Sequence, residues 1–185
     1  MTDLSRRSFA LGAVSMTTLA ACGNGIGSAG AATIDARVDS TLNAMYQSYP
    51  GSQRLASQAS GMLVMPLMTE IGLGFGGSYG RGALRVGQST VDYYAAASGS
   101  AGLQIGAQQF SHVLFFMTPE ALRDFRTSPG WAAGADIEYA FSNQGDMLRA
   151  ETTTTLSPVI AVVFAQTGLR VGATLEGTKY TRIIP

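Results

Sequence analysis

The sequence predicts an α+β domain in which N-terminal helices pack on a glycine-rich, strongly curved, mostly antiparallel and barrel-like sheet, with one short helix between strands. Three observations predict it. Apolar residues recur at helical spacing near the start of the chain and again after Thr118. Beyond Pro66 the apolar period changes to two. The 23 glycines enter the strand-like runs, where glycine marks bends, bulges or close backbone approach. With 46% hydrophobic and 13% charged residues, the chain is too apolar for disorder, and its glycine content does not suit a helical bundle.

Each element follows from its residues. With Thr33 as N-cap, Ile34, Val38, Leu42 and Met45 form one apolar stripe of a helix reaching about Ser48, while Asp35, Arg37, Asp39 and Asn43 fall elsewhere. A polar face mixing both signs suits packing against a sheet better than contact with a membrane. Pro50-Gly51 ends this helix, and a second covers Gln53 to Ala59 before the apolar run Met62 to Met65. Ile71, Leu73 and Phe75 then alternate with Gly72, Gly74 and Gly76. Ala83 to Val86 meets Thr90 to Tyr94 across Gly87-Gln88 as a hairpin. The run Val113 to Met117 is continuous enough to be buried on both faces. Thr118-Pro119-Glu120 supplies an N-cap, a proline at the first helical position and a first-turn acid for a helix to Phe125 or Arg126, stopped by Ser128-Pro129-Gly130. Ala135 to Phe141, Leu156 to Ala165 and Leu169 to Leu175 complete the strands, the last two joined at Gln166-Thr167-Gly168.

The N-terminus carries an address. Ser5-Arg6-Arg7-Ser8-Phe9-Ala10-Leu11 resembles a twin-arginine export signal, and Leu19-Ala20-Ala21-Cys22 resembles the cleavage site of a bacterial lipoprotein. The resemblance implies a signal peptide over residues 1–21 and a diacylglycerol, with palmitate on the mature N-terminus, at Cys22, the single cysteine. Residues 22–33 then read as the lipidated cysteine and a flexible Gly/Ser/Ala tether, and residues 34–185 as one domain. Gly23 stands where an Asp would favour inner-membrane retention, so the expected location is the cell envelope, facing the periplasm and on the outer membrane rather than the inner.

Charge and residue spacing exclude several function classes. Without the signal there remain ten basic and eleven acidic residues, Arg6, Arg7 and Asp3 having been lost. A nearly neutral chain without a Lys/Arg run lacks the field that nucleic-acid binding requires. His112, the one histidine, lies among Phe110, Val113 and Leu114; no metal-ligand spacing surrounds it, and a packed core histidine is expected. No Gly-x-Ser-x-Gly occurs, and Gly99-Ser100-Ala101-Gly102 lacks the spacing of a nucleophile elbow. Asp136 and Glu138 could pair as carboxylates but fit an exposed polar face equally well. Gly72, Gly74 and Gly77 imitate a dinucleotide fingerprint, yet Gly80 and Gly82 follow where a phosphate-binding helix should begin. No enzyme, cofactor or metal is expected.

Four ordered stretches, Gly76 to Leu84, Gly102 to Gln108, Leu114 to Thr118 and Leu175 to Lys179, together resemble the SYLF domain. The likeness runs from about Ala36 to Ile183. It implies phospholipid binding without catalysis, with phosphoinositides as ligands in eukaryotic members. Ser111-His112 departs from the acidic residue those members carry, and their Src-homology modules are missing, so the actin binding of some relatives is not implied. Within this resemblance Arg81, Arg85 and Lys179 are the expected headgroup contacts, with Arg170 and Arg182 as further basic residues near turns. Any of them could instead be a solvated charge paired with Asp92 or Glu176. Trp131 is expected in the core beneath the second-half helix rather than as an interfacial anchor.

The expected function is that of a lipid-anchored envelope protein whose domain binds phospholipid with a preference for anionic headgroups. The alternative is an envelope protein that binds a protein partner, its domain having no lipid role. Replacement of Cys22 by Ser should release the protein from the membrane fraction or leave it unprocessed, and palmitate labelling of the parent should map to the mature N-terminus.

Overall fold

The computed structural model describes residues 27–134, 137–141, 157–168, 175 and 177–185. In chain order they form helices α1 (Ala29–Ser48) and α2 (Gly51–Gln58), strands β1 (Gly61–Val86) and β2 (Ser89–Phe116), helix α3 (Pro119–Thr127), and strands β3 (Trp131–Ala132), β4 (Ile137–Phe141), β5 (Val159–Gly168) and β6 (Lys179–Ile183). The sheet runs β3-β6-β2-β5-β4, with β1 also paired to β2. All pairs are antiparallel except β4 with β5. The predicted α+β architecture, with helices first and a curled sheet after them, is the one observed.

What reads in sequence as several short strands is one hairpin of two very long ones. Gly87, at φ +59°, supplies the left-handed residue of the predicted Gly87-Gln88 turn. The ladder then extends outward from Val86↔Ser89 to Gly61↔Phe116. Such lengths can curl only where the ladder yields, and register shifts occur between Met65 and Met68, Leu73 and Phe75, and Leu84 and Arg85. Pro66 lies within the first of these shifts, where a missing N–H costs no ladder bond.

The curl brings β1 back onto itself. A Cβ on Gly82 would land on the carbonyl oxygen of Val64 and on Sδ of Met65, and one on Gly80 would meet Sδ of Met68 and the carbonyl oxygen of Leu67. The two halves of the strand therefore touch backbone to backbone, which only glycine permits here. Alternation sends Gly80 and Gly82 inward, while Tyr79 and Arg81 are exposed.

Both faces of the sheet are covered over its central part. Inside the curl lie Leu63, Leu84, Tyr94, Leu114, Phe116, Ala161, Val163 and Tyr180, closed by Phe125 of α3 and by Trp131. The rings of Phe116, Phe125, Trp131 and Tyr180 are 4.7–6.4 Å apart in edge or tilted arrangements. Trp131 is thus partly buried and packs its ring against the core beside α3, the side of the molecule expected for it. On the outer face, Val64, Ala83, Tyr93, Val113, Phe115, Ile160 and Val162 pack against Ile34, Val38 and Met45 of α1 and Leu55 of α2. Of the expected run, Val113 to Phe116 is buried on both faces, whereas Met117 lies past the end of β2 and is half-buried; α1 packs on the sheet.

Several expected boundaries are corrected. Helix α1 starts at Ala29, so residues 29–33 are not tether. The hydroxyl of Ser28 caps the helix by accepting from the Ala31 N–H at 3.0 Å and donates to the Pro185 carbonyl at 3.0 Å. Gln166-Thr167-Gly168 is not a turn, because Thr167 and Gly168 still pair with Gln109 and Gln108. The chain instead absorbs one extra residue in a bulge at Ala165, whose φ is +52°. Strand β6 has no counterpart in the sequence-based expectation; Leu175 precedes it as a buried loop residue. The expected strand Leu169 to Leu175 lies, except for Leu175, outside the described residues.

Gly82→Ala should destabilise the domain by about 3 kcal/mol or more, since the crossing backbone cannot retreat without opening the sheet. Leu114→Asp should cost at least as much by burying an unpaired charge. Asn43→Asp, on the exposed side of α1, should be nearly silent. Urea unfolding of the three variants checks the assignment.

Candidate functional site

The face of the sheet that α1 covers continues past the end of the helix and becomes exposed. Antiparallel neighbours share a face, so the registers Ala83↔Tyr93↔Ile183, Arg81↔Ala95↔Thr181 and Tyr79↔Ala97↔Lys179 stack as three rows on that face. The first row is covered by α1. In the other two rows Arg81, Tyr79, Ala97, Thr181 and Lys179 are exposed. Phe75 follows on the same face of β1 at 83% exposure, and Ile71, beyond the bulge, is 63% exposed. Large apolar side chains at this exposure form a strip rather than scattered surface residues.

Arg81 also lines a cleft of about 310 Å3 between α1 and β1, with Arg37, Thr33 and Ile34 on the helix side and Leu67, Thr69 and Tyr79 on the strand side. Among the described residues neither Arg37 nor Arg81 has an ion-pair partner. Lys179, likewise without one, lays its methylenes over Gly130, where a Cβ would meet them. Three cations without an ion-pair partner among the described residues thus border an apolar strip that includes a tyrosine. That combination can take an amphiphile bearing an anionic group: guanidinium donors for phosphate oxygens, rings and branched chains for the apolar part.

Arg85 is placed differently from Arg81 and Lys179. Its side chain is 12% exposed and its Nη2 donates to Oδ1 of Asp39 at 2.7 Å, with Oδ1 of Asp35 at 3.8 Å and the Gln88 carbonyl accepting from Nη1 at 2.8 Å. Asp35 accepts in addition from Thr90 Oγ1 and Tyr93 Oη, both at 2.7 Å. Burial and the neighbouring carboxylate push the Tyr93 phenol up to about 12. This network fastens α1 to the hairpin, and Arg85 is committed to it. Arg182 is paired with Asp92. Arg37 is the site residue that sequence reasoning missed; its place on the polar face of α1 was visible, its approach to Arg81 was not.

His112 is fully buried, with Nε2 2.8 Å from the Tyr180 hydroxyl. Burial lowers its pKa to about 3. It is a packed core histidine, as expected. Among the described residues no group of His, Cys, Asp and Glu could hold a metal ion, and no helix is long and apolar enough to cross a membrane. Cys22, Asp136 and Arg170, and the side chains of Ser100 and Glu138, lie outside what is described.

Residues 97–182 match the family model described as Ysc84, Las17-binding protein actin regulator. This stretch, a little under half of the chain, is similar to that family, in line with the likeness to the SYLF domain. It contains the second half of β2, helix α3 and β3 to β5, and it reaches into β6. The glycine-rich stretch Gly76 to Leu84 and helix α1 lie before it. No curated protein matches the chain.

A buried neutral histidine ties stability to pH with a definite sign. The unfolded chain binds the proton near pH 6.5 and the folded one only near 3, so this contribution is complete above pH 6.5 and is lost as pH falls toward 3. Between pH 6.5 and 5 stability should fall by up to about 1.4 kcal/mol per pH unit more in the parent than in His112→Gln. Denaturant unfolding at the two pH values measures the difference.

Proposed function

We propose that this chain is a lipid-anchored, periplasm-facing envelope protein whose SYLF domain binds phospholipid, with a preference for anionic headgroups and no catalytic activity of its own. The observation that carries the reading is the exposed strip of Ile71, Phe75 and Tyr79 beside Arg37, Arg81 and Lys179, cations without an ion-pair partner among the described residues. The family's description concerns Las17 binding and actin regulation; phospholipid is the partner that an apolar strip edged by cations suits. The lipid on Cys22 would hold the domain at the bilayer, and the strip would add the second attachment that durable anchoring needs.

Two contributions act together. Phe75 and Tyr79 remove apolar area from water by entering the interface, each for about 1–3 kcal/mol. Arg81 and Arg37 donate charge-assisted hydrogen bonds to phosphate oxygens. Because the domain is nearly neutral overall, attraction over distance is weak and affinity rests on this local patch. Arg85 is left out of the contact, since Asp39 and Asp35 already occupy it.

Vesicle co-sedimentation of the full chain carrying Cys22→Ser, which cannot be acylated, tests the reading. Binding should be tighter to phosphatidylcholine vesicles containing phosphatidylglycerol than to phosphatidylcholine alone, and weaker at high salt. Arg37→Gln with Arg81→Gln should remove the anionic preference, about tenfold in affinity, while Phe75→Ser should weaken binding to both compositions. Failure of the parent to bind either vesicle would favour a protein partner in the envelope.

A further inference from the structure

A second group of cations lies on the opposite side of the strand ladder. Arg182 pairs with Tyr94, one residue out of phase with the row of Arg81, Ala95 and Thr181, so alternation turns it to the other face. There, Pro119, Leu122, Arg123, Arg126 and Thr127 of α3 face Ser60 and Arg182 across a cleft of about 590 Å3. The helix sorts its charges. Positions 119, 122, 123, 126 and 127 form one helical face, whereas Glu120 and Asp124 lie on a separate i, i+4 row and Phe125 enters the core.

Two of the arginines are held in place by one acid. Asp92, 13% exposed, accepts from Nε of Arg126 at 3.1 Å and lies 3.4 Å from Nε of Arg182. Arg182 Nη2 donates to the Arg126 carbonyl at 3.0 Å. Asp92 therefore engages the Nε edges and leaves Nη donors of Arg126 at the cleft. Arg123 has no ion-pair partner among the described residues. On the cleft face, among the described residues, three guanidiniums against one carboxylate leave an excess of two positive charges, while Glu120 and Asp124 lie on the separate row of α3. Holding like charges together is unfavourable unless an anion offsets them.

We propose that this α3 cleft binds a phosphomonoester dianion. Its two negative charges match the excess, its oxygens match the guanidinium fork, and Leu122 and Pro119 offer an apolar wall to the organic group it carries. A carboxylate would satisfy only one of the charges. The site is separate from the phospholipid contact, because it uses neither α1 nor the exposed strip and faces the other way.

The test uses the full-length chain with two probes: inorganic phosphate in solution, and vesicles in which phosphatidic acid, a phosphomonoester lipid, replaces phosphatidylglycerol, a diester. Phosphate should shift the amide resonances of Ser60, Leu122 and Arg123 at saturable concentration. Arg123→Gln should weaken that binding about tenfold, and Arg123→Lys, which keeps the charge without the fork, by less. Binding of phosphatidylglycerol vesicles should be unchanged in both variants, which separates failure here from failure of the phospholipid reading. An effect of Arg123→Gln on phosphatidic acid vesicles but not on free phosphate would support the site and identify a lipid headgroup as its ligand. If Arg123→Gln, shown to be folded by its thermal transition, alters neither probe, the proposal is overturned.

Discussion

Everything in this domain depends on the self-crossing of β1, where Gly80 and Gly82 let backbone lie against the backbone of Val64 and Leu67. A strand of 26 residues could not otherwise fold back within a compact domain; it would run on as a flat ribbon with both faces wet. The crossing turns one hairpin into a curl with an inside, and the inside is filled by the rings of Phe116, Phe125, Trp131 and Tyr180. The same pleat that sends the two glycines inward sends Tyr79 and Arg81 outward. Fold and candidate site are therefore two faces of one constraint.

Helix α1 decides which arginines remain available. Toward the hairpin turn it presents Asp35 and Asp39, and these occupy Arg85, Thr90 and Tyr93. Toward the cleft it presents Arg37, which cannot neutralise Arg81 and adds to it. The alternating signs that make the polar face look ordinary in sequence thus divide it in two. One part clamps the helix to the sheet, and the other concentrates positive charge beside exposed aromatic and aliphatic side chains.

Local chemistry was legible and long-range pairing was not. The capped helix after Thr118, the Gly87 turn and the doubly buried run Val113 to Phe116 all follow from residues adjacent in sequence, and each stands in the structure. Strand β6 escapes sequence reasoning because Lys179-Tyr180-Thr181-Arg182-Ile183 is mostly polar, and it becomes a strand through pairing with Tyr93 to Ala97, far away in the chain. The turn expected at Gln166 to Gly168 fails for a related reason: polar residues suggest a break where a bulge and a partner strand sustain the ladder. In the site, the residues alone place Arg81 and Lys179 among the candidates. Only the fold distinguishes Arg81, which is open, from Arg85, which is held.

The position of β6 has a consequence for how the domain forms. The β1/β2 hairpin can zip outward from its turn, each rung closing a loop only slightly longer than the one before. Yet β2, the centre of the sheet, also needs β6, which follows it only after α3 and three further strands. The aromatic interior stays open along Tyr180 until that strand arrives. Folding is thereby split into an early local stage and a late, high-separation closure. During synthesis β2 emerges well before β6, and for that interval its row from Tyr93 to Ala97 is a bare sheet edge, able to capture any extended segment that reaches it first.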